Sequence, residues 1–272
     1  MSSLPKRTTL DKINTLTTVG YPRPHLGGSL IARPCERYLV YSFRWAYMPK
    51  IESKLNRIFR LGDAIEDIII KDLKRAGITH GGSQTRVSGY RGHAGGSVDG
   101  IVEEVPEYPD ETLLFEAKSM NHNNFLDVKR KGVKVSKPIY YGQMQIYMGK
   151  LDLDKAMFVS LDKNTSDLYI EFVHFDEYEY EHLIDREEDI IEAKHINEFP
   201  RISNNPSWFN CKFCDAKEVC HSGITPEKNC RTCDHAELCD EGVWYCRVHK
   251  EDQSVEDQEH GCEMWNLSEV FS

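Results

Sequence analysis

Two carboxylates and an ammonium stand out by type and spacing. Asp99 lies in "GHAGGSVDGIVEEV", and after 16 intervening residues Glu116 follows, with Lys118 two further on, in "LLFEAKSM". Strand side chains alternate faces, so Leu114, Glu116 and Lys118 point one way while Leu113, Phe115 and Ala117 point the other. Opposite charges therefore share one face beside a core, for which the plainest reading is a cross-strand ion pair at a strand end. Asp99 is the only charge in the apolar part of its own stretch. A hairpin through the acidic loop "EEVPEYPDE" would set it beside Glu116. A third acid comes from "NRIFRLGDAIEDIIIKDLKRAG". There Leu55, Phe59, Gly62, Ile65, Ile69 and Leu73 keep the helical period, and Glu66 sits on or beside that stripe. A partly buried acid must meet a base or help hold a cation, and Gly62 admits a close approach to the helix. Carboxylate oxygens with water suit Mg²⁺ or Mn²⁺, ions that stabilise the attacking and leaving oxygens of a phosphodiester displacement. Lys118 would orient or help deprotonate the attacking water and offset charge on the scissile phosphate.

The elements that must position these groups divide the 272 residues into an N-terminal arm (1–28), a core (29–222) and a tail (223–272). Within the core, 29–76 read as helical, 84–175 as strands with one helix between them, and 176–198 as an acidic helix. After "PRISNNPSW" the composition changes, with eight of the nine cysteines falling between Cys211 and Cys262. One internal repeat sets "NCKFCDAKEVCHSG" against "NCRTCDHAELCDEG" at an offset of 19 residues. No apolar run approaches the roughly 20 residues of a membrane span, and the N-terminus lacks a signal-peptide core, so a soluble intracellular protein is expected. In a reducing compartment, C-x-x-C thiols hold metal more often than they form disulfides. A formal net charge of −10 excludes a uniformly basic nucleic-acid binder, so such a partner needs a local patch. "DVKRKGVKVSKP" supplies one with Lys129, Arg130, Lys131, Lys134 and Lys137, unless it is a solvated loop.

"YYGQMQIYM" places Gln143 and Tyr147 at i and i+4 on one helical face. Together with Asp99, Glu116-Ala117-Lys118 and the Gly62…Glu66 helix, this order of elements resembles the PD-(D/E)xK nuclease superfamily, specifically its RecB-like branch. The resemblance implies an α/β fold with a restriction-endonuclease-like mixed central sheet flanked by helices. It implies Glu66, Asp99 and Glu116 as ligands of Mg²⁺ or Mn²⁺, Lys118 as the catalytic lysine, and Gln143 and Tyr147 as supports of the metal site that contact the DNA backbone. RecB-like proteins commonly carry His where this chain has Glu66, although related phage recombination exonucleases use an acid there. The basic segment would bind phosphates or close over an entering strand. Tyr140, Tyr141 and Phe125 are candidates to stack bases or, equally, to fill the core.

"CKFCDAKEVC" is one thiolate short of a four-ligand site, and Cys35 is the only distant cysteine. One cysteine before the core and three after it resembles the iron–sulfur nucleases, namely AddB, the CRISPR adaptation exonucleases and phage relatives. This implies a 4Fe-4S cluster on Cys35, Cys211, Cys214 and Cys220, with Zn²⁺ on the same thiolates as the alternative. The second group is locally complete and resembles the zinc-binding tails of phage proteins. There Cys230, Cys233, Cys246 and Cys262 would hold Zn²⁺, with Cys239 competing for a place. By analogy the expected activity is a DNA exonuclease acting on ends or single strands in recombination, repair or phage DNA processing. Two other classes stand beside it: a catalytically weak DNA-binding or recombination-partner module, and a metal-stapled scaffold joining a larger complex.

Overall fold

The computed structural model describes residues 8–15, 18–19 and 22–272. Of the expected N-terminal arm, positions 1–7, 16–17 and 20–21 lie outside the described residues. A five-stranded mixed sheet forms the centre, in the order Leu168–His174, Lys155–Asp162, Leu113–Met120, Gly100–Glu103, Thr79–Gly81. Within it only Leu113–Met120 and Lys155–Asp162 run parallel; the other neighbours are antiparallel. A parallel join needs a crossover, and the helices His122–Lys131, Val133–Ser136 and Pro138–Leu151 provide it. The expected α/β class, a mixed sheet flanked by helices, is therefore what the chain adopts.

The central strand is covered on both sides, which is why it reads as a nearly continuous apolar run. Leu113, Phe115 and Ala117 pack with Ile65, Ile69 and Leu73 of the helix Ser53–Arg75. Leu114 belongs to the other cluster, with Met144, Ile146 and Tyr147 of Pro138–Leu151. The alternation expected from sequence thus assigns each face its helix.

Three expectations need correction. The helical stripe holds only in its C-terminal half: Ile65, Ile69 and Leu73 are buried, whereas Leu55 and Phe59 are 38% and 51% exposed and open space lies beside Gly62. A 23-residue helix rises roughly 34 Å at about 1.5 Å per residue, so its first turns overhang the sheet. The stretch "GHAGGSVDGIVEEV", whose apolar part before the acidic loop suggests a single strand, holds two. Ala94–Ser97 joins a separate three-stranded sheet with Leu26–Gly27 and Arg86–Ser88, and Gly100–Glu103 enters the central one. The chain crosses between them at Val98 and Asp99. The crossing needs glycine at 100, where φ is +154° and an added Cβ would strike the His80 ring. Finally, 84–175 contain three helices rather than one, and the basic segment lies on the first two.

The tail folds a small antiparallel sheet, Ala236–Leu238, Trp244–Cys246 and Glu251–Gln253. It is bound to the core by buried contacts. Trp244 has no exposure and packs on Phe43 at 5.6 Å between ring centroids. The Arg231 guanidinium lies 4.0 Å from the Trp45 ring centroid and 4.9 Å from that of Trp244. It also donates to the carbonyls of Phe43 and Pro24. Arg91 pairs with both Glu192 and Asp240, and His93, whose ring centroid lies 5.7 Å from that of Trp244, donates its Nε2–H to the Cys239 carbonyl. Among the described residues no helix is long and apolar enough to cross a membrane.

Trp244→Ala should lower the stability of the whole chain by about 3–5 kcal/mol, the cost of emptying a fully buried tryptophan site. Urea unfolding followed by tyrosine fluorescence and circular dichroism checks this. A core transition with an unshifted midpoint would show instead that the tail is an independent unit.

Candidate active site

Asp99 arrives at the central strand through the crossing just described, and the hairpin register pairs Gly100 with Phe115. Its Oδ2 accepts the Ala117 backbone N–H at 3.0 Å and lies 3.4 Å from Lys118 Nζ. Lys118 also donates to the Ala117 carbonyl at 3.1 Å and forms an ion pair with Glu116 Oε1. The three groups singled out in sequence are therefore gathered at one end of the strand. Glu116 has no solvent exposure, and neither of its oxygens has a hydrogen bond of good geometry; the Lys118 ammonium is its one charged contact.

Burial pushes the Glu116 carboxyl up to about 7, with Lys118 pulling it back and the charges of Asp99 and Glu66 adding to the rise. Glu66 approaches from the Ser53–Arg75 helix. Partial burial, then Asp99, raise it to about 7 as well. Burial disfavours the Lys118 ammonium, but Glu116 and Asp99 outweigh it and hold the pKa above the usual lysine value. Lys118 is thus a charged donor at neutral pH. As a charged donor it can orient water and offset charge.

Gln143 and Tyr147 are both buried on the Pro138–Leu151 helix. Tyr147 underlies two glycines: a Cβ at Gly28 would sit 2.9 Å from its ring, and one at Gly96 would collide with its hydroxyl. Burial, then the Glu116 charge, push the phenol up to about 12, so it remains protonated. Tyr140, one heptad earlier on the same helix, places its ring centroid 5.6 Å from Lys118 Nζ. That contact and the seating of His80 against Gly100 were missed in the sequence. The seven-residue spacing from Tyr140 to Tyr147 was the available signal. Tyr141 and Phe125 are buried, the core alternative.

The basic segment is less free than its charge count suggests. Asp127 holds Arg130 at 3.0 Å and Lys131 at 2.7 Å. Lys134 pairs with Asp176 at 3.0 Å, and Lys137 donates to Asn124 at 3.0 Å. Lys129 is exposed.

The thiols singled out in sequence line two separate cavities. Cys35, Cys211, Cys214 and Cys220 line one cavity of about 770 Å³, although they come from opposite ends of the core. Burial raises the Cys214 thiol to about 11, with Cys35 and Cys220 also acting on it. Cys230, Cys233, Cys246 and Cys262 line another cavity, of about 430 Å³, with His235, His249 and His260. Burial, then the other three thiols, raise Cys230 to about 11. Cys239 lies off that cavity, its carbonyl engaged by His93. Among the described residues no three His, Cys, Asp or Glu side chains stand close enough to share an ion.

No protein-family model and no curated protein matches the sequence. Among solved structures the chain is similar to the alkaline exonuclease LHK-Exo from Laribacter hongkongensis, at 16% identity and TM-score 0.45 over 62% of this chain and 86% of that one. It is similar to LHK-Exo in complex with dAMP at 15% and 0.44, over 62% and 86%. SSO0001 aligns at 16% and 0.44, over 76% of this chain and 90% of that one. Overlaps this loose carry no residue roles across, and the site stands on its own geometry.

In the metal-free protein Glu116 and Glu66 keep their protons to about pH 7, against an ordinary value of 4.5. Between those values the folded state binds more protons than the unfolded one. The stability these two groups contribute is therefore fully present below about 4.5 and is lost as pH rises through about 7. Glu116→Gln should melt with the wild type at pH 4.5 and above it at pH 8. A wild type more stable than the variant at pH 8 would mean that Lys118 overcompensates the burial.

Proposed function

We propose that this chain is a metal-dependent DNA nuclease of the PD-(D/E)xK, RecB-like kind. The observation that carries the reading is Glu116, a fully buried carboxylate set beside Asp99, with Lys118 ion-paired to its Oε1 and no partner on its Oε2. One ammonium shared among clustered carboxylates leaves room for a second cation to offset their burial. Hard oxygen donors fit Mg²⁺ or Mn²⁺, and Glu66, Asp99 and Glu116 would hold it. The bound ion supplies charge neutralisation at the attacking and leaving oxygens of the phosphodiester.

The remaining work belongs to side chains. The Lys118 ammonium directs the attacking water and offsets charge on the scissile phosphate, and Asp99 and the Tyr140 ring fix where it points. Gln143 and Tyr147 support the carboxylate strand from below, and Lys129, with the rest of the 129–137 segment, offers cations to the DNA backbone. We place a 4Fe-4S cluster, or Zn²⁺, on Cys35, Cys211, Cys214 and Cys220, because four thiols from both ends of the core surround one cavity. Zn²⁺ suits Cys230, Cys233, Cys246 and Cys262. Exonuclease action on ends or single strands is the part of the proposal that rests on resemblance to the iron–sulfur nucleases alone. One observation favours the second reading, a weakly catalytic DNA-binding or recombination-partner module: the acids do not yet meet around an ion.

End-labelled single- and double-stranded DNA incubated with Mg²⁺ or Mn²⁺ separates the readings. The wild type should shorten it progressively, and Lys118→Ala should lower the rate by about 10²–10⁴-fold when both are assayed below the variant's melting temperature, which should fall because Glu116 loses its ion pair. Binding without cleavage by the folded, metal-loaded wild type would establish the module. Cys35→Ala should bleach iron–sulfur absorbance and destabilise the fold, and unchanged absorbance would overturn that ligand assignment.

A further inference from the structure

Next to the catalytic strand lies a second cleft, of about 480 Å³, that nothing above uses. It opens over the three-stranded sheet. Ala94–Ser97 is the middle strand, flanked by Leu26–Gly27 in parallel and Arg86–Ser88 antiparallel. The lining includes His25, Arg86, Ser88, Gly95 and Gly96. Gly96 is the glycine whose bare backbone lies against the Tyr147 hydroxyl, and Asp99 follows three residues later. The strand that lines the cleft thus leads, within three residues, to Asp99 of the carboxylate cluster.

His25 Nε2 is buried with no hydrogen-bond partner. Burial, then Arg23, Arg86 and Arg231, hold His25 below the usual histidine pKa, and the charges acting on it are all positive. Arg231 is already engaged by carbonyls and by Gln258, whereas Arg23 and Arg86 are exposed at the rim. Arg23 also acts on Tyr147, so its field reaches the catalytic side. Glu241 is the acid on the lining. In a chain of net charge −10, the exposed Arg86 guanidinium and an unpartnered imidazole nitrogen beside a bare glycine strand suit an anionic ligand, even with Glu241 on the lining.

We propose that this cleft binds a phosphate of the substrate strand beside the scissile one, with Arg86 and His25 as its contacts and Arg23 at its mouth. The inference rests on the nuclease reading and names a feature of its substrate: a strand gripped at two phosphates, one in the carboxylate cluster and one here. A phosphodiester within the strand and a terminal phosphate monoester offer the same chemistry to these groups.

The test is fluorescence-anisotropy binding of a labelled single-stranded oligonucleotide in Ca²⁺, across a salt series. Arg86→Ala should bind about tenfold more weakly, with the slope of log affinity against log salt reduced by about one. His25→Gln should weaken binding to a lesser degree. Arg75→Ala, which removes the same charge from the far end of the Ser53–Arg75 helix, should match the wild type. Arg86 is exposed, so its variant should melt with the wild type; Arg86→Gln is a second variant of the same position. An equal loss on oligonucleotides with phosphorylated and hydroxyl ends assigns an internal phosphate, and a loss confined to one phosphorylated end assigns the terminal one. Wild-type affinity and slope in Arg86→Ala, with the wild type binding and cutting DNA, overturns this inference alone. A wild type that neither binds nor cuts DNA overturns the nuclease reading and this one with it.

Discussion

Burial of Glu116 is the constraint on which the rest of this structure turns. A carboxylate with no exposure sits in the middle of the longest apolar run of the sheet, and its cost must be met by what surrounds it. Lys118, two residues on and on the same face, offsets part of that cost. Asp99 fixes Lys118 in turn, through an oxygen shared with the Ala117 amide. The crossing at Gly100 and the close seating of Gly28 and Gly96 on Tyr147 exist to bring these groups together without side chains in the way. Each is a local conformational concession that makes sense only around a charged centre.

The cysteine-rich segments answer a mechanical need of the same centre. The core is assembled from elements distant in sequence, and its two sheets meet at the residue that carries Asp99. Cys35 and the 211–220 thiols lie on one flank, and the tail grips the other through Trp244, Arg231 and the Arg91 ion pairs. The guanidinium of Arg231 works here as a flat plug between indole rings that also satisfies buried carbonyls, a use for which lysine has no equivalent.

Much of this was legible in the residues. Strand alternation alone placed Glu116 and Lys118 on one face, and the acidic loop between Asp99 and Glu116 announced the hairpin. The Cys35 pairing with 211–220 followed from a missing fourth thiol and a family resemblance. What failed to show had physical reasons. Helical periodicity reports an apolar stripe but not the length of the sheet beneath it, so Leu55 and Phe59 read as core. In the basic segment, Asp127 to Arg130 and Lys131 is a helix-stabilising spacing that was masked by the density of charge. The glycine run before Asp99 carries no side-chain alternation, so the break into two strands left no pattern. The cations around His25 come from positions some sixty residues apart, joined only by a sheet that local sequence does not foretell.

The claim at the centre of this account is that the buried carboxylates are a cation site. The most direct measurement is titration of Mn²⁺ into the protein with its thiol sites filled, reading the free-ion EPR signal for the wild type, Asp99→Ala and Glu116→Gln. The account predicts saturable uptake by the wild type and affinity at least about tenfold weaker in both variants, since each removes one anionic ligand from the same ion. Uptake undiminished in Glu116→Gln, or absent from the folded wild type, would contradict it.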